Sequence, residues 1–165
     1  MAFHFEKLSV LIVEDTIPML KLVSFVLETL GVGRIFSASE GGEGYDIFCM
    51  ESPDIVITDW HMHPVNGIDL VKKIRKDPNS PNRTVPVVMM TGFSAFPRVS
   101  EARDTGVTEF LVKPFSANDL ARRIAHVINQ PRDFIETPDY FGPDRRRRKG
   151  DEYSGPYRRS SDLSV

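Results

Sequence analysis

Cysteine is nearly absent: Cys49 is the single one in 165 residues, so neither an internal disulfide nor a thiolate zinc cluster can be built from this chain. Long apolar runs are absent too. The longest, 8–13 and 85–90, fall far short of the roughly 18 consecutive apolar residues that a membrane-spanning helix needs. The opening residues MAFHFEK lack the basic stretch, apolar stretch and small-residue site of a secretory signal, and with one cysteine the expected location is the cytoplasm. Nor is there an excess of charge of one sign. A net charge of −2 gives no overall basic field of the kind nucleic-acid binders carry. With 41% hydrophobic and 27% charged residues, the chain has material for one globular domain, and Cys49 is expected to pack in a helix.

The charge balance changes along the chain. Residues 1–130 hold 13 Lys/Arg against 16 Asp/Glu, whereas residues 131–165 hold 8 against 7, five of the basic ones consecutive from Arg145 to Lys149. The second segment also carries Pro131, Pro138, Pro143 and Pro156 and almost no aliphatic periodicity. Such a composition buries too little to offset the entropy of ordering, so 1–130 is expected to be the folded domain and 131–165 a mostly disordered Pro/Arg-rich tail.

Within 1–130 two hydrophobic patterns alternate. A short continuous apolar run at 8–13 reads as a strand covered on both faces, and further strands are expected at 34–38, 54–58, 85–90 and 108–112. Between and after them, helices are expected at 19–30, 43–50, 68–76, 96–104 and 118–129. In the first of these, Met19, Leu20, Val23, Phe25, Val26, Leu27 and Leu30 recur at helical spacing, with Thr16 or a neighbour as cap and Gly31 as terminator. Strict strand-then-helix order predicts an α/β fold, a doubly wound five-stranded parallel sheet with five helices on its two faces. In such sheets the ligand site lies at the carboxyl ends of the strands.

The predicted strand ends carry Glu14 and Asp15, Asp59, Thr91, and Lys113 followed by Pro114. Three carboxylates converging on one edge repel unless a cation neutralises them, and an all-oxygen set suits Mg²⁺. A lysine and a small hydroxyl beside them supply the positive charge and donor that a transferring phosphoryl group needs. Singly, an acidic residue after a strand is more often a cap or solvated turn. The joint pattern and its spacing resemble the receiver domain of bacterial two-component response regulators, the CheY-like receivers, over about residues 5–130.

That resemblance implies a flavodoxin-like receiver fold with strand order 2-1-3-4-5. It makes Asp59 the phosphoacceptor, attacking the phosphohistidine of a sensor histidine kinase or phosphotransfer protein, or a small phosphodonor. Glu14, Asp15, Asp59 and the backbone carbonyl of His61 would hold Mg²⁺, Glu14 through water. Thr91 would be the switch hydroxyl, Lys113 the lysine that pairs with a phosphoryl oxygen, Phe110 the rotating aromatic switch residue, and Pro114 the proline of a cis peptide. Met62 and Gly67 meet the family pattern three and eight residues past the acceptor. The chain departs from it at His63, where many receivers have proline, with Pro64 one place later. His61 and His63 beside three carboxylates raise the alternative of a transition-metal site.

The same resemblance implies a phosphoacceptor signalling module rather than an enzyme in the ordinary sense, one that assists its own phosphotransfer and autodephosphorylation. Phosphorylation would shift Thr91, rotate Phe110 and repack the face of the fourth helix, fifth strand and fifth helix, where a protein effector would bind. The expected form is a single-domain regulator without a DNA-binding domain or a membrane span, monomeric or weakly dimeric when phosphorylated. A phosphotransfer intermediate or phosphate sink without its own effector is the alternative, and a phosphorylation-independent adaptor a third reading. In the tail, Tyr140 and Phe141 could anchor, and Arg145, Arg146, Arg147 and Arg148 clamp, a docking motif for an acidic partner. Trp60 is expected to be a partly exposed ring beside the site. Gly41, Gly42 and Gly44 are not a phosphate loop, because no Gly-Lys-Ser/Thr follows.

Overall fold

The structure, a computed structural model, describes residues 5–92 and 99–144. After a short 3-10 turn at Phe5–Lys7, the chain alternates β1 (Ser9–Val13), α1 (Ile17–Leu30), β2 (Arg34–Ala38), α2 (Gly41–Glu51), β3 (Ile55–Asp59), α3 (Gly67–Lys76), β4 (Val87–Gly92), α4 (Val99–Thr105), β5 (Glu109–Lys113) and α5 (Ala117–Asn129). The five strands form one parallel sheet in the order β2-β1-β3-β4-β5, as expected.

Side-chain alternation along the strands builds a core on each face. Leu11, Val13, Val56, Val87 and Met89 point toward the layer of α2, α3 and α4, where Phe48, Leu70, Ile74 and Ala102 cover them. Val10, Ile12, Ile55, Ile57, Val88 and Met90 point the other way, under Val23 and Leu27 of α1 and Leu120 and Ile124 of α5. Strands covered on both faces have no polar side to present, which is why they read as unbroken apolar runs.

Several boundaries move for local reasons. β4 starts at Val87, because Pro86 has no N–H to give to a ladder, and it runs on through Thr91 and Gly92. α2 begins at Gly41, in spite of its glycines, because the Glu40 carboxylate accepts from the N–H groups of Gly42 and Glu43 at 2.8 and 2.7 Å. α5 opens with a capping box between Ser116 and Asp119. Of the expected helix 96–104, the first three residues lie outside the described ones; α4 runs from Val99 to Thr105. Phe25, counted in the apolar stripe of α1, is 66% exposed, and Cys49 is exposed rather than packed.

The largest correction concerns the tail. Residues 134–143 are an antiparallel hairpin, β6 (Phe134–Thr137) with β7 (Tyr140–Pro143), closed at its base by Asp144 N donating to Asp133 O at 2.6 Å. Composition predicts disorder there because two four-residue strands supply no core of their own. They are ordered by docking on the domain, against α3 and α4. Beyond α5 the described residues form this hairpin and no second domain.

Candidate functional site

Parallel pairing brings the ends of β1, β3, β4 and β5 to one edge. Asp59 is the last residue of β3 and pairs in register with Met90; Thr91 follows, and Lys113, the last residue of β5, pairs with Gly92. Asp59 is 7% exposed, and one of its carboxylate oxygens, Oδ1, accepts from Trp60 N at 2.8 Å and from Lys113 Nζ at 3.1 Å. Lys113 Nζ also lies 3.6 Å from Glu14 Oε2. One lysine therefore bridges two buried carboxylates.

Glu14 is held from the other side by Thr16, whose N–H and hydroxyl donate to Oε1 at 3.2 and 2.9 Å. Thr16 is the N-cap residue of α1 but makes no side-chain cap bond; its hydroxyl donates to Glu14 instead. Burial raises the Glu14 pKa above the usual carboxylate range, the neighbouring Asp59 raises it further, and Lys113 and Thr16 act against both. Glu14 Oε2 is buried without a hydrogen-bond partner. Asp15 is exposed at the rim, and ligand oxygens of Glu14, Asp15 and Asp59 all lie within 4.8 Å of one another.

The donor set fits a hard divalent cation. It is all oxygen, clustered and partly buried, and it contains a buried carboxylate oxygen, Glu14 Oε2, that accepts no hydrogen bond from the protein. Neither histidine joins the cluster. His61 is exposed and stacks on Trp60 with ring centroids 5.9 Å apart, and His63 is exposed, so the structure does not assemble the transition-metal alternative.

Asp59 is fixed from below by close packing. Gly67, at the start of α3, donates its N–H to Trp60 O at 2.9 Å, and a Cβ there would collide with the Asp59 carbonyl oxygen. Gly41 N donates to Val65 O at 2.8 Å, tying the loop after β3 to the start of α2. Trp60, expected to be partly exposed, is 1% exposed, and Met62 is buried with it. The main chain turns both inward where the sequence shows only an aromatic next to polar neighbours. Both His63-Pro64 and Lys113-Pro114 are cis peptides; the second was expected, the first belongs to the shifted proline.

Thr91 is buried, with its hydroxyl donating to Gly92 O at 3.3 Å, and Phe110 is partly buried against the core. Beside Phe110, β5 and α5 border a groove of about 500 Å³ whose lining includes Phe110, Phe115, Asp119, Arg122, Arg123 and His126.

The sequence profile of the response regulator receiver domain matches residues 10–125. This chain belongs to that family. It is 31% identical over 122 residues to the chemotaxis protein CheY1 of Helicobacter pylori, a match spanning 73% of this chain and 97% of that protein. It is likewise 31% identical over 125 residues to the chemotaxis protein CheY-3 of Vibrio cholerae, spanning 76% and 95%. Among solved structures, a response regulator receiver domain protein from Clostridium thermocellum superposes with a TM-score of 0.66 at 31% identity, covering 74% of this chain and 95% of that one. The chemotaxis response regulator CheY4 of Vibrio cholerae gives 0.65 at 26%, covering 73% and 98%. The CheY-like receiver therefore accounts for the Asp59 edge, and the chain is a response regulator of two-component signalling; the β6–β7 hairpin lies past the matched region.

The structure thus brings Glu14, Asp15, Asp59 and Lys113 together and sets Thr91 one residue past the register partner of Asp59. Thr16 is the site residue that sequence reasoning missed, and its signal was there: a hydroxyl two residues past Glu14, read only as a cap. Tyr140 and Phe141, expected as anchors in a disordered tail, are strand residues: Phe141 packs on Phe134 at 5.7 Å, and the Tyr140 hydroxyl donates to Pro143 O at 2.7 Å. Arg145, Arg146, Arg147 and Arg148 lie outside the described residues.

Proposed function

We propose that Asp59 is the phosphoacceptor of this receiver and that the phosphoryl group it carries controls binding of a protein partner. A carboxylate oxygen of Asp59 attacks the phosphorus of a phosphohistidine on a histidine kinase or phosphotransfer protein. The P–O bond to Asp59 forms as the P–N bond breaks, and the imidazole leaves and takes up a proton. With a small acyl phosphate, the departing group is the acyl carboxylate. Attack of water on the aspartyl phosphate returns the carboxylate and releases inorganic phosphate.

The observation that carries this reading is the Lys113 ammonium, 3.1 Å from Asp59 Oδ1, inside a carboxylate cluster that would otherwise repel a phosphate. Lys113 supplies a fixed positive charge for an equatorial phosphoryl oxygen, and the Thr91 hydroxyl a second donor after leaving Gly92 O. Glu14, Asp15, Asp59 and the main-chain carbonyl of His61 would hold Mg²⁺. Bound there, the cation would neutralise the carboxylates and the phosphoryl charge that meets them. The chain promotes its own transfer and dephosphorylation rather than turning over an external substrate.

The groove beside β5 and α5 supports a protein effector, because it combines the aromatic rings of Phe110 and Phe115 with charges of both signs, Arg122 and Arg123 beside Asp119. Phosphorylation would reach it through Thr91 and Phe110, which belong to adjacent strands. A cytoplasmic location fits this role; no described helix is long and apolar enough to cross a membrane. The test is incubation with acetyl phosphate in Mg²⁺ and in EDTA, read by intact mass. One phosphoryl adduct with Mg²⁺ and none in EDTA is expected; an equal adduct in both would refute the cation-dependent reading.

A further inference from the structure

Past the matched region, the hairpin docks at the opposite end of the sheet from Asp59, on a buried cation. Arg75, in the last turn of α3, is fully buried. Its Nε and Nη2 donate to Gly106 O at 3.0 and 2.9 Å, and its Nη1 to Arg83 O and Val85 O at 2.8 and 2.7 Å. The Thr108 hydroxyl is 3.5 Å from Nη2. No carboxylate pairs with it among the described residues; the carbonyl dipoles hold it, although burial lowers its pKa to about 9, and so it remains charged at neutral pH. The hairpin closes this site. The Phe134 ring centroid is 4.8 Å from the Arg75 guanidinium carbon, and that of Phe141 is 4.1 Å from that of Arg83, which itself donates to Arg75 O at 2.6 Å.

The seat of the hairpin is the corner between α4 and β5. Gly106, whose carbonyl Arg75 grips, has φ +112, and a Cβ on it would lie 3.1 Å from Phe141 O. Opposite, a Cβ on Gly142 would fall 2.5 and 2.7 Å from Oη and Cζ of Tyr140 in the hairpin itself and 2.9 Å from Gly106 Cα. Two glycines thus let β7 press main chain to main chain on the residue that joins α4 to β5. Arg132, leading into β6, reaches back to Glu109 of β5 at 3.3 Å. Every one of these contacts belongs to the arrangement in which Lys113, at the far end of the same strand, is paired with the Asp59 carboxylate itself.

We infer that the β6–β7 hairpin is a built-in clamp on the α4–β5 corner, favouring the unphosphorylated arrangement and loosening when Asp59 is phosphorylated. This rests on the receiver reading of Asp59. If the clamp contacts differ between the two arrangements, coupling is reciprocal: lifting the hairpin favours phosphorylation by the factor by which phosphorylation weakens the hairpin.

The test uses the full chain and two variants, Gly142→Val, which crowds both Gly106 and the Tyr140 ring of the hairpin, and Phe134→Ala, which removes the ring over Arg75 and leaves Gly142 and Tyr140 untouched. Hydrogen exchange is followed over 99–113 and 134–143, and phosphorylation by acetyl phosphate with Mg²⁺ is timed by intact mass. Expected are faster exchange over both segments in the variants and a higher phosphorylation rate in the intact-mass time course. In the wild type, phosphorylation itself should speed exchange over 134–143. Variants that free 134–143 while leaving 99–113 and the rate unchanged would overturn the clamp and leave only a staple. A wild type that takes no phosphoryl group would defeat the reading of Asp59 and the regulatory coupling together. Exchange would still separate the two failures, since a clamp that exists frees 99–113 when lifted.

Discussion

Gly67→Ala links packing to chemistry at one atom. The added Cβ would meet the Asp59 carbonyl oxygen and carbonyl carbon, with Met89 Cε at 3.2 Å, and the first two are main chain that cannot swing aside. Such overpacking costs about 1–3 kcal/mol, and the better helix propensity of alanine returns less than about 1 of it. The net loss of roughly 1–2 kcal/mol corresponds to a fall in Tm of roughly 2–8 °C for a chain of this size. The end of β3 must move to relieve the contact, carrying the carboxylate away from Lys113. Misplacing a reacting group by a fraction of an ångström to an ångström costs up to about 10²-fold in rate, so phosphorylation by acetyl phosphate should fall roughly ten- to a hundredfold. Gly31→Ala is the matched control. Its φ of +88 penalises alanine by about 1–2 kcal/mol, yet nothing lies within 4 Å of the new Cβ. Equal Tm losses with only Gly67→Ala losing phosphorylation is the expected result. A Gly67→Ala protein that is destabilised but phosphorylated at the wild-type rate would refute the reasoning.

Lys113→Gln removes the cation shared by Glu14 and Asp59: phosphorylation should fall by roughly 10²-fold, the scale of losing one donor to a transition-state oxygen, while Mg²⁺ affinity measured by titration does not fall. Trp60→Ala empties a fully buried site and should cost about 3–5 kcal/mol in urea unfolding, far more than a surface ring would. Backbone N–H donors hold the carboxyls of Glu40 and Asp119 below their ordinary pKa values of 4.5 and 3.8. Because the folded pKa values are depressed, this stabilisation is present above those ordinary values and lost as pH falls through the folded ones. Asp119→Ala, which removes the carboxylate that accepts from the Ser116 N–H in the α5 capping box, should accordingly lower Tm by a few degrees at neutral pH without changing phosphorylation, and the difference should shrink in acid.

The sheet and its site edge were legible because both depend on local signals. Strands such as β1 and β3, buried on both faces, are apolar over Val10–Val13 and Ile55–Ile57, and Glu14 and Asp59, which follow those runs, and Lys113 at the end of β5 are charged against that background. Trp60 was misread because its burial depends on how the chain turns after β3, with Gly67 closing on it, a tertiary event with no local pattern. The hairpin was invisible for a related reason. Phe134 and Phe141 look like stray aromatics among prolines and charges until Arg75 and Arg83, more than 50 residues away in sequence, are placed beneath them. Arg75 itself sits where α3 would be expected to present a solvated basic end, and only Gly106 O, Arg83 O and Val85 O show why it is buried.

The central claim is that Asp59 carries the phosphoryl group, and borohydride trapping followed by peptide mapping tests it most directly. After incubation of the full chain with acetyl phosphate and Mg²⁺, reduction of an aspartyl phosphate should mark Asp59 alone, and Asp59→Asn should carry no mark. A mark on Asp15 or Glu14 instead, or an equal mark in Asp59→Asn, would contradict the account.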